Sequence, residues 1–245
     1  ETSRGCRQGC RYCTSFATPV RYKQITRIAE ELQLLASKGV QEIRLLDRTF
    51  NAPPERAAEL LRLFKDKFPN LRFHLEIHPQ FLSDELKWEL QHALPGQLHL
   101  EVGIQSLDDE VQKAIGRACP SQDALSGLQF LCSCPAFAVH ADLLAGLPRQ
   151  TSASLWQDVR QLIATGPDEI QLEVLKILPG TPLRSQAARQ GIRYSPSPPY
   201  EVLETDDFSP RELLNARILS RMLDLFYNTP ALRDAFRSAS RNNEN

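Results

Sequence analysis

The sequence predicts an α/β fold, a partial (β/α)6 TIM-like barrel with a helical C-terminal appendage, on three observations. Short β-rich runs alternate with longer amphipathic stretches through the first two thirds of the chain. No low-complexity linker interrupts them, and polar residues suited to chemistry gather just after the strand candidates. A βαβ series of this kind builds a parallel sheet with right-handed crossovers, and a curved sheet places its chemistry at the C-terminal strand ends.

Taken in order, a helix is expected over 24–37, ended by Gly39, and a strand over 42–46. A helix over 53–68 follows, with Pro53 and Pro54 suited to its first turn, then a strand over 72–77. Ser83, ahead of Asp84 and Glu85, caps a helix over 83–93, and a strand over 98–103 comes next. Helices over 108–115 and 122–132, a strand over 136–144, a helix over 152–165 ended by Gly166 and a strand over 169–176 complete the series. Trp88 and Trp156 fall on helical apolar faces and are expected in the core. After Pro182 the pattern changes to a loop containing Pro196, Pro198 and Pro199, then a helix opening at Ser209 and Pro210 and running to about residue 226. The expected division is a barrel core over 1–182, an appendage over 183–237 and a polar tail over 238–245. The chain opens at Glu1 almost directly on a cysteine motif, so a further N-terminal domain is expected upstream.

The chain has 245 residues, 42% hydrophobic and 24% charged, enough for a substantial core. Its net charge of −1, with acids and bases interleaved, gives no electrostatic footprint for nucleic acid or an anionic membrane. No apolar run approaches the roughly 20 residues needed to span a bilayer. Neither a nucleic acid nor a membrane is expected as a partner, and the cytoplasm is the expected location. Three of the six cysteines crowd the start and three lie far off, which points to metal chemistry rather than a disulfide framework.

Cys6-Arg-Gln-Gly-Cys10-Arg-Tyr12-Cys13 places three thiols in one short loop, where a single inorganic centre can collect them. Four thiolates would saturate the irons of a 4Fe-4S cluster; three leave one iron open. The alternative is a zinc knuckle stapling a non-catalytic interaction domain, which needs a fourth ligand that His74 or His78 could supply. Cys119, Cys132 and Cys134 lack the spacing of a second cluster, and His78 and His140 read as structural histidines.

The CxxxCxxC spacing with Tyr12 before the last cysteine resembles the cluster loop of the radical S-adenosylmethionine (SAM) superfamily. Glu101-Val-Gly-Ile-Gln105-Ser106, Ile115-Gly-Arg117 and His140-Ala-Asp142-Leu-Leu-Ala-Gly146-Leu-Pro148 are similar to motifs of its coproporphyrinogen-dehydrogenase-like branch. The runs at 43–51 and 198–203 look closest to members linked to a cobalamin-binding domain. The resemblance implies a 4Fe-4S cluster whose free iron chelates SAM and whose electron cleaves it, so that a 5′-deoxyadenosyl radical abstracts hydrogen from substrate. It assigns Glu76 to the methionine amino group, Arg117 to the methionine carboxylate, and Gln105 and Asp142 to the adenosyl portion, and Tyr12 is expected beside the cofactor as well. It also implies an electron donor such as flavodoxin or ferredoxin, a small-molecule or otherwise unspecified substrate, and cobalamin if an upstream domain carries it. One departure stands out: the glycine-rich run many members place after the second strand is here Leu46-Asp47-Arg48-Thr49, so backbone approach must use different residues, while Asp47 and Arg48 are still expected in the cofactor or substrate pocket. A methylthiotransferase-like member is the second reading within the superfamily, though no basic RNA-binding tail is recognisable.

Overall fold

The computed structural model describes residues 1–117 and 119–235. The chain runs β1 (Ser3–Cys6), β2 (Thr18–Tyr22), α1 (Ile25–Ser37), β3 (Glu42–Arg44), α2 (Pro54–Lys67), β4 (Arg72–Ile77), α3 (Asp84–Gln91) and β5 (Leu98–Gln105). It continues with α4 (Asp109–Ala114), α5 (Ser121–Cys132), β6 (Ala138–Ala145), α6 (Ser152–Thr165), β7 (Glu169–Val174), α7 (Pro182–Gln186), β8 (Arg193–Tyr194), β9 (Val202–Glu204) and α8 (Pro210–Met222). The expected helices and strands are all present, with ends shifted by a few residues at most. Their caps act as expected: the Ser83 hydroxyl accepts from the Leu86 N–H, and Gly166 closes α6 at a φ of +88°.

Strands β3-β4-β5-β6-β7 form one parallel sheet in sequence order. Among the described residues it has five strands rather than six. β1 stays out of it and pairs antiparallel with β2, a partner that a short loop can reach, whereas a parallel neighbour needs a long crossover. The sheet alternates strictly. In β5, Leu98, Leu100, Val102 and Ile104 are buried, while His99, Glu101, Gly103 and Gln105 are half-buried on the other face. β6 repeats this with Val139, Ala141, Leu143 and Ala145 against Ala138, His140, Asp142 and Leu144. Parallel strands covered by apolar layers on both faces read as continuous apolar runs, so the alternation marks one apolar face under the helices and one polar face lining a lumen.

The two tryptophans depart from expectation: Trp88 is 52% and Trp156 42% exposed. Trp88 lies on the outer side of α3, stacked on His92 and under the Lys65 ammonium. Trp156 sits one residue past Leu155, outside the buried stripe Leu155, Val159 and Leu162 of α6.

The segment after α8 folds back on the barrel. Tyr227, fully buried, donates its hydroxyl to the Pro167 carbonyl at 2.7 Å, and Asn228 both accepts from the Ile170 N–H and donates to the Ile170 carbonyl at the edge of β7. The expected tail over 238–245, and the last two residues of the expected appendage, lie outside the described residues.

Candidate active site

The cysteine loop between β1 and β2 is docked by backbone. The Arg11 N–H donates to the Ile115 carbonyl (2.8 Å) and the Leu183 N–H to the Arg11 carbonyl (2.9 Å). Gly9 and Gly116 meet so closely that a Cβ on either would overlap the carbonyl oxygen of the other, and Gly116 sits at a φ of +75°. This contact places the cysteines over the C-terminal ends of β4, β5 and β6.

There Cys6, Cys10 and Cys13 line one cavity of about 210 Å³ together with Tyr12, Arg48, Glu76, His78, Glu101, Gln105, Arg117 and Asp142. Six of the seven residues expected around the cofactor are thus brought together with the three cysteines. Asp47 is not among them. It is buried and accepts from the Thr2 N–H, the Thr2 hydroxyl and the Ser3 hydroxyl, each at 2.6 Å. The chain turns at Arg48, so Arg48 and Thr49 reach the cavity while Asp47 tethers the first strand.

The cavity is charged in a defined pattern. Burial raises the pKa of Glu76, helped by the nearby Glu101 carboxylate, and burial raises that of Asp142 as well. Three carboxylates in one recess favour a cationic ligand. Arg117 is 8% exposed, donates to the Gly103 carbonyl, and among the described residues has no carboxylate at ion-pair distance. A buried guanidinium without a counter-ion suits an anionic ligand group, bound in bidentate fashion. Gln105 holds the left-handed region at a φ of +70°, beside a β-bulge between Gly103 and Gln105 that aims its side chain at the mouth.

Two further titratable lining residues were given no cofactor role by the sequence reading. His78, read as structural, accepts the Gln80 N–H at Nδ1, so its Nε2 carries the hydrogen and is buried without a partner. Burial and Arg117 lower its pKa to about 3, so it is neutral at physiological pH. Asn51 fixes it by clamping the backbone N–H and carbonyl of His78, at 2.8 Å each. Glu101 accepts from Arg44 at 2.7 Å and lies 2.7 Å from His74 Nε2. The available signal was the period of two from Glu76 to His78 and from Glu101 to Gln105, which puts them on one face.

The thiols fit an iron–sulfur centre. The Gln8 and Ser15 N–H groups point at Cys6 Sγ and Cys13 Sγ at 3.4 Å each, the kind of N–H···S contact that favours thiolate ligands. Burial pushes the Cys10 thiol up, with Arg117 opposing it, and burial also raises the Tyr12 hydroxyl, which contacts Cys10. The three remote cysteines take no part. Cys119 and Cys134 donate to backbone carbonyls, of Pro120 and Phe130.

A partial α/β barrel with three cysteines and a charged recess at its mouth defines a metal-dependent barrel protein. Comparison makes the class specific: the model described as "Radical SAM superfamily" matches residues 1–162, and the chain belongs to that superfamily. A second model, described as "Protein of unknown function (DUF4080)", matches residues 189–245. Among solved structures, the radical SAM methyltransferase TsrM from Kitasatospora setae, with cobalamin and a [4Fe-4S] cluster bound, superposes with a TM-score of 0.69 at 20% identity. The match covers 86% of this chain and 42% of TsrM. Coproporphyrinogen III oxidase HemN from Escherichia coli gives a TM-score of 0.56 at 17% identity over 90% of this chain and 50% of HemN. Among curated proteins, the ribosomal protein uS12 methylthiotransferase RimO from Petrotoga mobilis is 33% identical over 91 residues, 34% of this chain and 21% of RimO. The chain spans half or less of the length of each of these relatives. No helix among the described residues is long and apolar enough to cross a membrane.

Proposed function

We propose that this chain is the catalytic barrel of an enzyme that cleaves SAM reductively and uses the resulting 5′-deoxyadenosyl radical to take hydrogen from a substrate. Cys6, Cys10 and Cys13 would hold three irons of a 4Fe-4S cluster, which when bound supplies one electron to the sulfonium C–S bond. The observation that carries this reading is the shared cavity: three thiols and the polar groups of three adjacent strand ends line a single recess.

Each side chain has a task its surroundings support. Arg117 pairs with the methionine carboxylate, and the Glu76 carboxylate takes the ammonium, whose positive charge favours the ionised form. Gln105 and Asp142 hydrogen-bond the adenosyl portion, and His78 offers its Nε2–H to the cofactor or the substrate. Tyr12 packs beside Cys10 and keeps water from that sulfur, while Arg48 closes the rim. The zinc-knuckle alternative is weakened because His74, one of its two candidate fourth ligands, is engaged by Glu101. A soluble reductant of the flavodoxin or ferredoxin kind would supply the electron. Cobalamin is proposed only for a domain outside this chain, in keeping with the cobalamin-bound TsrM structure. The methylthiotransferase reading stays second, supported by the RimO match over 34% of the chain.

The test is anaerobic reconstitution, reduction with dithionite and quantification of 5′-deoxyadenosine beside a Cys13→Ala control. Slow formation by the parent protein and none by the variant is expected. A cluster-replete protein that binds SAM yet forms no 5′-deoxyadenosine under any reductant would remove the reading.

A further inference from the structure

We propose that the lower half of the barrel lumen carries a second, mononuclear metal site, in which His99, His140 and Glu169 bind one divalent transition-metal ion of the zinc type. The three residues stand on adjacent strands β5, β6 and β7, on the polar face and nearer the N-terminal ends than the SAM recess. His99 precedes Glu101 by two residues, His140 precedes Asp142 by two, and Glu169 lies in register beside His140. One ligand atom from each lies within 4.8 Å of the others.

The donor set points to a borderline cation. Two imidazoles and one carboxylate are the protein ligands of zinc sites that keep a fourth position for water. A zinc ion at roughly 2.1 Å from each donor holds tetrahedral donors about 3.4 Å apart. The cluster therefore has to contract, and Glu169, whose side chain is 45% exposed, is the ligand free to swing inward.

Two further observations favour a metal over a mere polar floor. His99 Nε2 is buried and has no hydrogen-bond partner among the described residues, a state that native structures seldom leave uncompensated. His140 Nδ1 faces Glu169 at 3.6 Å, while its buried Nε2 lies 3.2 Å from Asp142 Oδ1 without making a hydrogen bond. An ion on Nδ1 would let the ring settle against Asp142, the carboxylate support usual for a metal-bound histidine. A cavity reaches one of the three ligands, His99. This cavity of about 230 Å³, lined by Glu42, His74, Gly96, Gln97 and His99, lies at the N-terminal ends of the strands, away from the cysteine loop. The site shares no ligand with that loop and stands whether or not the chain cleaves SAM.

The test is calorimetric titration of the cluster-bearing protein with zinc chloride, with iron and sulfide assayed before and after so that zinc taken by the cysteines is counted separately. One zinc per chain beyond the cluster is expected, with a rise in melting temperature, and roughly tenfold or weaker binding in both His99→Ala and Glu169→Gln. Melting of the zinc-free variants separates a folding defect from lost binding, and His99→Gln replaces His99→Ala if the latter fails to fold. Magnesium, titrated in parallel, should give no comparable binding. No zinc beyond the cluster, zinc retained at full affinity in both variants, or magnesium bound as tightly as zinc would each overturn the site.

Discussion

Burial and the neighbouring Glu101 raise the pKa of Glu76, so folding without ligand favours the protonated carboxyl relative to the unfolded chain. The raised value sets the sign: its stabilising contribution is complete below the unfolded pKa and is lost as pH rises through the folded one. Glu76→Gln should therefore raise the melting temperature of the SAM-free protein at pH 7.5 while weakening SAM binding, and the gain should shrink toward pH 4.5. Thermal melts at the two pH values, with calorimetry on the reconstituted variant, check both halves. Unchanged affinity would remove Glu76 from the amino-group role. Asp47 and Arg48 divide the other way. Asp47→Ala leaves the Thr2 and Ser3 donors without their acceptor and should cost about 1–3 kcal/mol of stability in denaturant unfolding. Arg48→Ala, at an exposed position on the cavity rim, should leave stability nearly unchanged and act on cofactor affinity instead.

At the scale of elements, the cysteine loop is held by few contacts, concentrated where Gly9 meets Gly116. A side chain at position 116 faces a positive φ and the Gly9 carbonyl together, and neither backbone can move without shifting the loop or the end of α4. Gly116→Ala should lower iron and sulfide content after reconstitution to well under half of the parent level while far-ultraviolet circular dichroism stays that of a folded barrel. Full cluster content in this variant would show that the loop docks by other means. Gly39, with the same sign of φ and open space around it, is the control: Gly39→Ala should leave the cluster intact and cost on the order of 1 kcal/mol.

Across the whole molecule, the region after the barrel completes its surface. Asn228 pairs with the Ile170 backbone on the outer edge of β7, and fully buried Tyr227 and Leu223 add to the core. A chain truncated after residue 182 would expose that edge and its apolar flank, so it should aggregate on expression where the full chain stays monodisperse by size-exclusion chromatography. A soluble, folded 1–182 fragment would show the appendage to be independent. The sequence by itself determined the α/β class, the order of the strands, the caps at Ser83 and Gly166 and the three-cysteine loop. All of these are local: period, capping chemistry and spacing act within a few residues. Only the tertiary structure decided that Asp47 faces the first strand and Arg48 the cavity, that the two tryptophans lie outside, and that β1 pairs with β2 apart from the parallel sheet. It alone also set His99, His140 and Glu169 of three strands side by side in the lumen. Each of these depends on which strand is whose neighbour and which way a loop residue turns, and such choices are settled by packing between segments far apart in the chain.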